Sequence, residues 1–164
     1  LRSAGCVGLS WGFESGSSRL LAGNDKGGLS GSARTRLLRA AAEAGIRNHL
    51  FVIAGLPGES EGDFAATVFW LANALPWIAS GEAHAFQLQV GTQHFERHEE
   101  LGMQLAPASD WALNIPYFGN PPDEVARARA AILNETLLQA AVLAGSNDWL
   151  EGHAPLAGPL PGRP

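Results

Sequence analysis

Three stretches of the chain have the hydrophobic pattern of β-strands. Residues 7–13 are apolar apart from glycine and one serine, and residues 46–54 end in a continuous apolar core at 50–54. Both patterns are typical of strands that are buried on two faces. Residues 83–90 instead alternate between apolar and polar side chains, which predicts a strand with two different faces.

Each predicted strand is followed by a helical pattern. Ser32 is the predicted cap of a helix that ends at Gly45, and Ser60 with Asp63 matches a capping box for a helix that Pro76 stops. Further along, an acidic start after two prolines, at Asp123, predicts a helix that runs to Gly145. Strands that alternate with helices favour parallel connections.

The predicted fold class is therefore α/β, a partial TIM-type barrel. It consists of a half-barrel of three parallel βα units with a C-terminal helical extension. We divide the chain into residues 1–105 for the half-barrel, 106–151 for a loop plus the helical extension, and 152–164 for a disordered tail rich in proline and glycine.

Composition narrows the class of protein. A complete eightfold barrel needs about 250 residues, and this chain has 164, so we expect a fragment of a longer parent. The net charge of -5 argues against a nucleic-acid surface. No apolar run reaches the roughly 18 residues of a membrane helix, and a single cysteine makes a cytoplasmic protein the expectation.

Polar and flexible residues cluster where the first two strands end. Glu14-Ser15-Gly16-Ser17 follows the first strand, and Lys26, the only lysine, comes shortly before a glycine pair. The second strand ends in Gly55-Leu56-Pro57-Gly58-Glu59, where glycine allows close approach of a ligand to the backbone. In α/β folds, ligand sites lie at the carboxyl ends of the strands.

These motifs resemble the middle of the radical S-adenosylmethionine (SAM) barrel. The family has a Gly-Phe/Val-Glu-Ser-Gly-Ser block after its fourth strand and an Ile/Val-x-Gly-Phe/Leu-Pro-Gly-Glu-Thr turn after its fifth. This chain has Gly12 to Ser17 and Ile53 to Ser60 in those places, and Gly91-Thr92 to Glu96 is similar to a block after the sixth strand. The resemblance covers roughly residues 5–103.

The resemblance implies a cofactor site and its residues. Glu14, Ser15 and Lys26 would hold the ribose and amino-acid end of SAM. Ile53, Gly55 and Pro57 would lie against its adenine, and Gln87 and Gln89 would face a small-molecule or peptide substrate, which stays unidentified. Several relatives with this core also carry a cobalamin-binding domain, so cobalamin is a further cofactor that the resemblance allows for the parent.

The defining motif of the family is absent from this sequence. Its 4Fe–4S cluster, which cleaves SAM to a 5′-deoxyadenosyl radical, needs three thiolates from a CxxxCxxC loop, and the one cysteine is Cys6. The family places that loop upstream, in the N-terminal half of the barrel, so that half is the expected partner. This chain alone is expected to be inactive.

Two other functions stay open from the residues alone. One is a fragment of a non-radical α/β-barrel enzyme, and the other is a half-barrel interaction module without catalysis. A CxxxCxxC segment upstream of Leu1 would favour the radical enzyme over both.

Other polar residues have simpler interpretations. His94 and His98 share the spacing of a metal site but have no third ligand in the sequence, so a solvated helix face is the prediction. Glu59 could contact a ligand, but an acid in the first turn of the following helix, stabilised by the helix dipole, explains it equally well.

Overall fold

A computed structural model describes residues 1–24 and 28–145 of the chain. Its central feature is a sheet of three parallel strands in the order β1-β2-β3, at Gly8–Glu14, Arg47–Ala54 and Ser80–Ala85. The predicted partial barrel of parallel βα units is confirmed. Lys26 and the predicted disordered tail 152–164 lie outside the described residues.

Five α-helices and a small hairpin complete the described structure. The helices are α1 Ser18–Gly23, α2 Gly31–Glu43, α3 Glu61–Ala74, α4 Gln93–Glu96 and α5 Asp123–Leu143. Short 3-10 turns lie at Arg2–Ala4 and Leu75–Trp77, and β4 Gln104–Leu105 pairs antiparallel with β5 Tyr117–Phe118. None of the described helices is long and apolar enough to cross a membrane.

Strand β3 begins and ends earlier than the alternation at 83–90 predicts. Pairing with β2 sets its limits, because the last hydrogen bond between the two runs from the Phe86 amide to the Ala54 carbonyl at the end of β2. Phe86 and Leu88 are nevertheless buried, while Gln87 and Gln89 are exposed. The alternation is therefore real, but it continues beyond the region where β2 offers hydrogen-bond partners.

The structure has the helix caps predicted from the sequence, with one exception at the start of α2. Ser30, not Ser32, caps α2, since its hydroxyl accepts a hydrogen bond from the Ala33 amide. Ser60 and Asp63 form the predicted capping box at the start of α3. Gly45 ends α2 with φ of 73°, a left-handed conformation that favours glycine.

The helices cover one face of the sheet and leave the other open. Side chains of β2 alternate, so that Leu50, Val52 and Ala54 are fully buried under the helices while Phe51 is exposed on the opposite face. A second, smaller apolar cluster lies beyond the strand ends and consists of Leu20, Leu56, Phe86, Leu88 and Met103. The open face corresponds to the inside of a barrel.

Helix α5 covers the outer edge of β3. The Asn134 side chain accepts a hydrogen bond from the Ala83 amide and donates one to the Ala83 carbonyl, both at 2.8 Å. An ideal Cβ on Gly81 would lie 2.9 Å from Leu137, so the helix packs directly on the strand. This edge of the sheet is thereby protected against further strand pairing.

Candidate functional site

A cavity of about 390 Å³ lies on the open face, at the carboxyl ends of the three strands. The parallel register places Glu14 beside Val52, so the end of β1 and the Gly55 turn after β2 meet at the same edge. The size is within the range of roughly 300–1,000 Å³ that small-molecule sites occupy. The lining residues are Glu14, Phe51, Val52, Ile53, Leu56, His84, Ala85, Phe86, Gln87, Gln89, Thr92 and His94.

Glu14 has an unusual backbone conformation. The register between β1 and β2 skips one residue between Gly12 and Glu14, and Glu14 has φ of 62°. In the described ranges it is the one residue other than glycine with a positive φ. A side chain disfavours this conformation by roughly 1–2 kcal/mol, and such outliers cluster at functional sites. The turn puts Glu14 in the wall of the cavity.

The residues that directly follow Glu14 point away from the cavity. Ser15 is completely buried, and its hydroxyl is 3.0 Å from the Thr67 hydroxyl on α3. The Gly16 amide also donates to Thr67, at 2.9 Å, and an ideal Cβ on Gly16 would lie only 2.6 Å from the Thr67 Cα. This part of the motif therefore fastens the loop to α3.

An anionic side chain on α3 completes that attachment. Asp63 accepts hydrogen bonds from the Ser17 hydroxyl, the Ser60 hydroxyl and the Arg19 guanidinium. Burial opposes ionisation of Asp63, but the hydrogen bonds from Arg19, Ser17 and Ser60 outweigh it and hold the pKa of the carboxyl far below its usual range. Asp63 thus joins the β1 loop to the start of α3.

The turn after β2 borders the cavity through apolar side chains. Ile53 and Leu56 line it, whereas Gly55 and Pro57 are not among the lining residues. The Gly55 amide donates to the Glu59 carboxylate at 2.9 Å, and the Pro57 carbonyl accepts from the Asn24 side chain at 3.1 Å. Both backbone groups therefore have hydrogen-bond partners within the protein.

The third strand and the loop after it form the other wall. Gln87 and Gln89, the residues predicted to face a substrate, both line the cavity. His94 lines it as well, with its Nε2 atom 3.1 Å from the Asn24 side-chain oxygen and its ring against Phe86. The predicted solvated helix face is therefore wrong for His94, because α4 packs that ring inward.

The open face carries further polar groups besides the two glutamines. On β3, Glu82 lies 3.4 Å from the imidazole of His84, and on β2 the Nδ1 atom of His49 lies 2.8 Å from the Ser80 hydroxyl. Burial lowers the pKa of His49, while the charge of Glu82 acts in the opposite direction. The interior of a complete barrel is usually filled by branched apolar side chains. Polar residues at these positions indicate a lumen that admits a polar molecule.

Sequence reasoning missed Phe51, His84 and His94 as cavity residues. The continuous apolar run at 50–54 predicted burial on both faces of β2, which is wrong for Phe51, because the helices cover one face only and Phe51 lies exposed on the other. The parallel register then brings His84 beside Ile53. His94 depends on the position of α4, for which local sequence carried no signal.

Iron–sulfur ligands are not provided by this chain. Within residues 1–24 and 28–145, no group of three His, Cys, Asp or Glu side chains is placed to hold a metal ion. The only cysteine of the sequence, Cys6, precedes β1 at the end opposite the cavity. The residues present therefore do not fit a 4Fe–4S cluster, which requires several thiolates.

Solved structures with a similar fold include two radical SAM enzymes. Coproporphyrinogen III oxidase HemN of Escherichia coli, described as a radical SAM enzyme, matches 82% of this chain with a TM-score of 0.56 and 17% sequence identity. The radical SAM methyltransferase TsrM of Kitasatospora setae, with cobalamin and a 4Fe–4S cluster bound, matches 65% with a TM-score of 0.51 and 21% identity. This chain spans 28% of the HemN chain and 22% of the TsrM chain.

The fold is therefore that of a portion of the radical SAM barrel. Neither protein-family models nor curated proteins gave a match to this sequence.

Proposed function

We propose that this chain is the C-terminal part of a radical SAM barrel and that its cavity binds the adenosyl portion of SAM. The observation that carries the proposal is the position of Glu14, a carboxylate in a strained turn at a strand end, in the wall of a cavity of about 390 Å³. A carboxylate accepts hydrogen bonds from a pair of ribose hydroxyls. The likeness of the fold to HemN and TsrM supports the choice of SAM as the ligand.

The remaining lining residues divide the cavity between cofactor and substrate. Ile53 and Leu56 offer an apolar surface for the adenine, and Gly55 and Pro57 belong to the same turn. Gln87 and Gln89 form the polar wall that faces the substrate. Ser15 contributes by fixing the loop of Glu14 to α3, since its hydroxyl is bonded to Thr67. Lys26 is proposed as a partner for the carboxylate of SAM from its sequence position.

Cleavage of SAM depends on a cluster whose ligands this chain lacks. The proposal for this chain is therefore limited to binding, and radical chemistry is proposed for the parent only, with the cluster, and cobalamin where the parent has it, held by other segments. We place the parent in the cytoplasm because the sequence given has one cysteine and no disulfide framework.

The expected partner is the N-terminal half of the barrel, and the sheet has one edge suited to it. Asn134 covers the outer edge of β3, so β1 is the edge at which further strands are expected to pair. Strands added there would extend the open face around the cavity. A CxxxCxxC loop is expected in that half.

Titration of SAM into the chain and its Glu14→Gln variant tests the proposal. The variant keeps the shape of the side chain and removes its charge. A hydrogen bond to a charged group contributes roughly 1.5–3 kcal/mol, so we expect about a ten- to hundred-fold weaker Kd by isothermal titration calorimetry. Glu43→Gln, at an exposed pair with Arg39, is the matched control. Equal SAM binding by wild type and Glu14→Gln would remove the proposed role of Glu14.

A further inference from the structure

The turn that frames the proposed adenine site is held by a buried acid. Glu59 is 3% exposed, and its Oε2 atom accepts the Gly55 amide hydrogen bond at 2.9 Å. Burial raises the pKa of Glu59, and the hydrogen bonds from Gly55 and Arg129 oppose that rise. An ionised carboxylate in such a place needs a cation beside it.

Helix α5 supplies that cation from a distant part of the sequence. Arg129 is 5% exposed, and its Nη1 atom donates to Glu59 Oε2 at 2.8 Å and to the Glu59 carbonyl at 3.2 Å. Its Nη2 atom reaches Glu61 Oε1 at 2.5 Å, at the start of α3. The guanidinium also lies over the Phe64 ring, 5.2 Å from its centre. Arg129 therefore has a fixed position with partners on several sides.

The same helix also touches the turn directly. Gly55 has φ of 79°, and an ideal Cβ on it would lie 2.3 Å from the Cβ of Ala126. Just before the helix, the Asn120 carbonyl accepts the Gly58 amide hydrogen bond at 2.8 Å. The turn is thus enclosed by residues 120–129, a segment beyond the part of the chain that the family motifs cover.

We propose that Arg129 is a positioning residue for the adenosyl site. Its hydrogen bond holds the Glu59 carboxylate against the Gly55 amide, and so fixes the turn that carries Ile53 and Leu56 into the cavity. The inference rests on the proposed function, because the affected ligand is the adenosyl group.

Nuclear magnetic resonance and SAM titration of matched variants separate this role from simple stabilisation. In Arg129→Met, Glu59 loses its cation, so we expect the Gly55 amide resonance to move and the SAM Kd to rise about tenfold. Arg127→Met is the control, since Arg127 lies on the same helix with its exposed side chain paired to Asp123. It should leave both readouts unchanged.

A double variant tests the route through Glu59. Glu59→Gln with Arg129→Met removes both charges and keeps an amide oxygen that can accept the Gly55 hydrogen bond. We expect it to restore most of the affinity, whereas Glu59→Met with Arg129→Met should not. A stability role alone would leave the affinity of the folded molecules equal in all variants.

The possible outcomes are distinct. A folded Arg129→Met protein with wild-type SAM affinity and an unmoved Gly55 resonance overturns the inference. If that variant does not fold, equal affinity of the two double variants overturns it instead. If wild type binds no SAM, the proposed function fails, and the adenosyl role of Arg129 fails with it. The Gly55 resonance still tests whether Arg129 controls the turn.

Discussion

The strained backbone at Glu14 gives a stability prediction whose sign differs from that of an ordinary strand position. Glu14→Ala and Glu14→Gly both remove the side chain beyond Cβ, so any difference between them reports the effect of the Cβ. In a strand interior, glycine is less stable than alanine by roughly 0.5–1 kcal/mol. At φ of 62° the Cβ itself is unfavourable, by roughly 1–2 kcal/mol.

Subtracting the two effects gives the expected magnitude. The strain relieved in Glu14→Gly, roughly 1–2 kcal/mol, exceeds the glycine penalty of roughly 0.5–1 kcal/mol, so Glu14→Gly should be more stable than Glu14→Ala by up to about 1.5 kcal/mol. Urea denaturation followed by circular dichroism measures this difference. Both variants should lose SAM affinity, because neither has the carboxylate.

Ser10 supplies the matched control. It lies on the same strand, is exposed, and pairs in register with His49 in ordinary extended backbone. Ser10→Ala should therefore be more stable than Ser10→Gly, the reverse of the order at Glu14. If alanine is the more stable residue at both positions, the left-handed turn and the reasoning built on it are wrong.

Two further predictions concern the attachment of the β1 loop to α3. Asp63 has a depressed pKa in the folded protein, so the stability that its carboxylate contributes is present above the unfolded pKa of about 3.9 and is lost as pH falls below that value. Asp63→Asn should therefore lower the free energy of unfolding at pH 7 by about 1–3 kcal/mol and weaken the dependence of stability on pH in denaturation curves between pH 6 and 2.5. An unchanged acid slope would contradict this. Gly16→Ala should lower the free energy of unfolding by about 1–3 kcal/mol, because the new Cβ meets the α3 backbone. Gly23→Ala is the control: its Cβ has open space around it, so this variant should be neutral or stabilising in the same assay. Equal effects of the two substitutions would refute the close packing at Gly16.

The sequence predicted the three parallel strands and most helix ends because those features depend on local patterns. The capping box at Ser60 and the glycine stop at Gly45 are each encoded within a few residues. The limits of β3 were not predictable in this way, since they depend on where β2 ends and on the Asn134 side chain from α5. Long-range pairing of this kind has no signature in a short window of sequence.

Only some of the residues that line the cavity were predicted, because the others depend on long-range packing. Glu14, Ile53, Gln87 and Gln89 line it, as expected for residues at the ends of parallel strands. His84 and His94 were missed because their places depend on register and on the packing of a one-turn helix. Arg129 gave no signal at all, being 70 residues from the acid that it pairs with.

The Glu14-to-Ser17 block shows why a contiguous motif need not be a contiguous site. The left-handed turn at Glu14 separates its carboxylate, in the cavity wall, from the hydroxyls of Ser15 and Ser17, which bond to α3. The same four residues therefore contain one group that faces the cavity and two that hold the loop in place. Substitutions within the block should divide accordingly, since those at Ser15 and Ser17 act on folding stability and those at Glu14 act on binding. Resemblance to a family can identify such a block, but only the direction of each side chain assigns the roles within it.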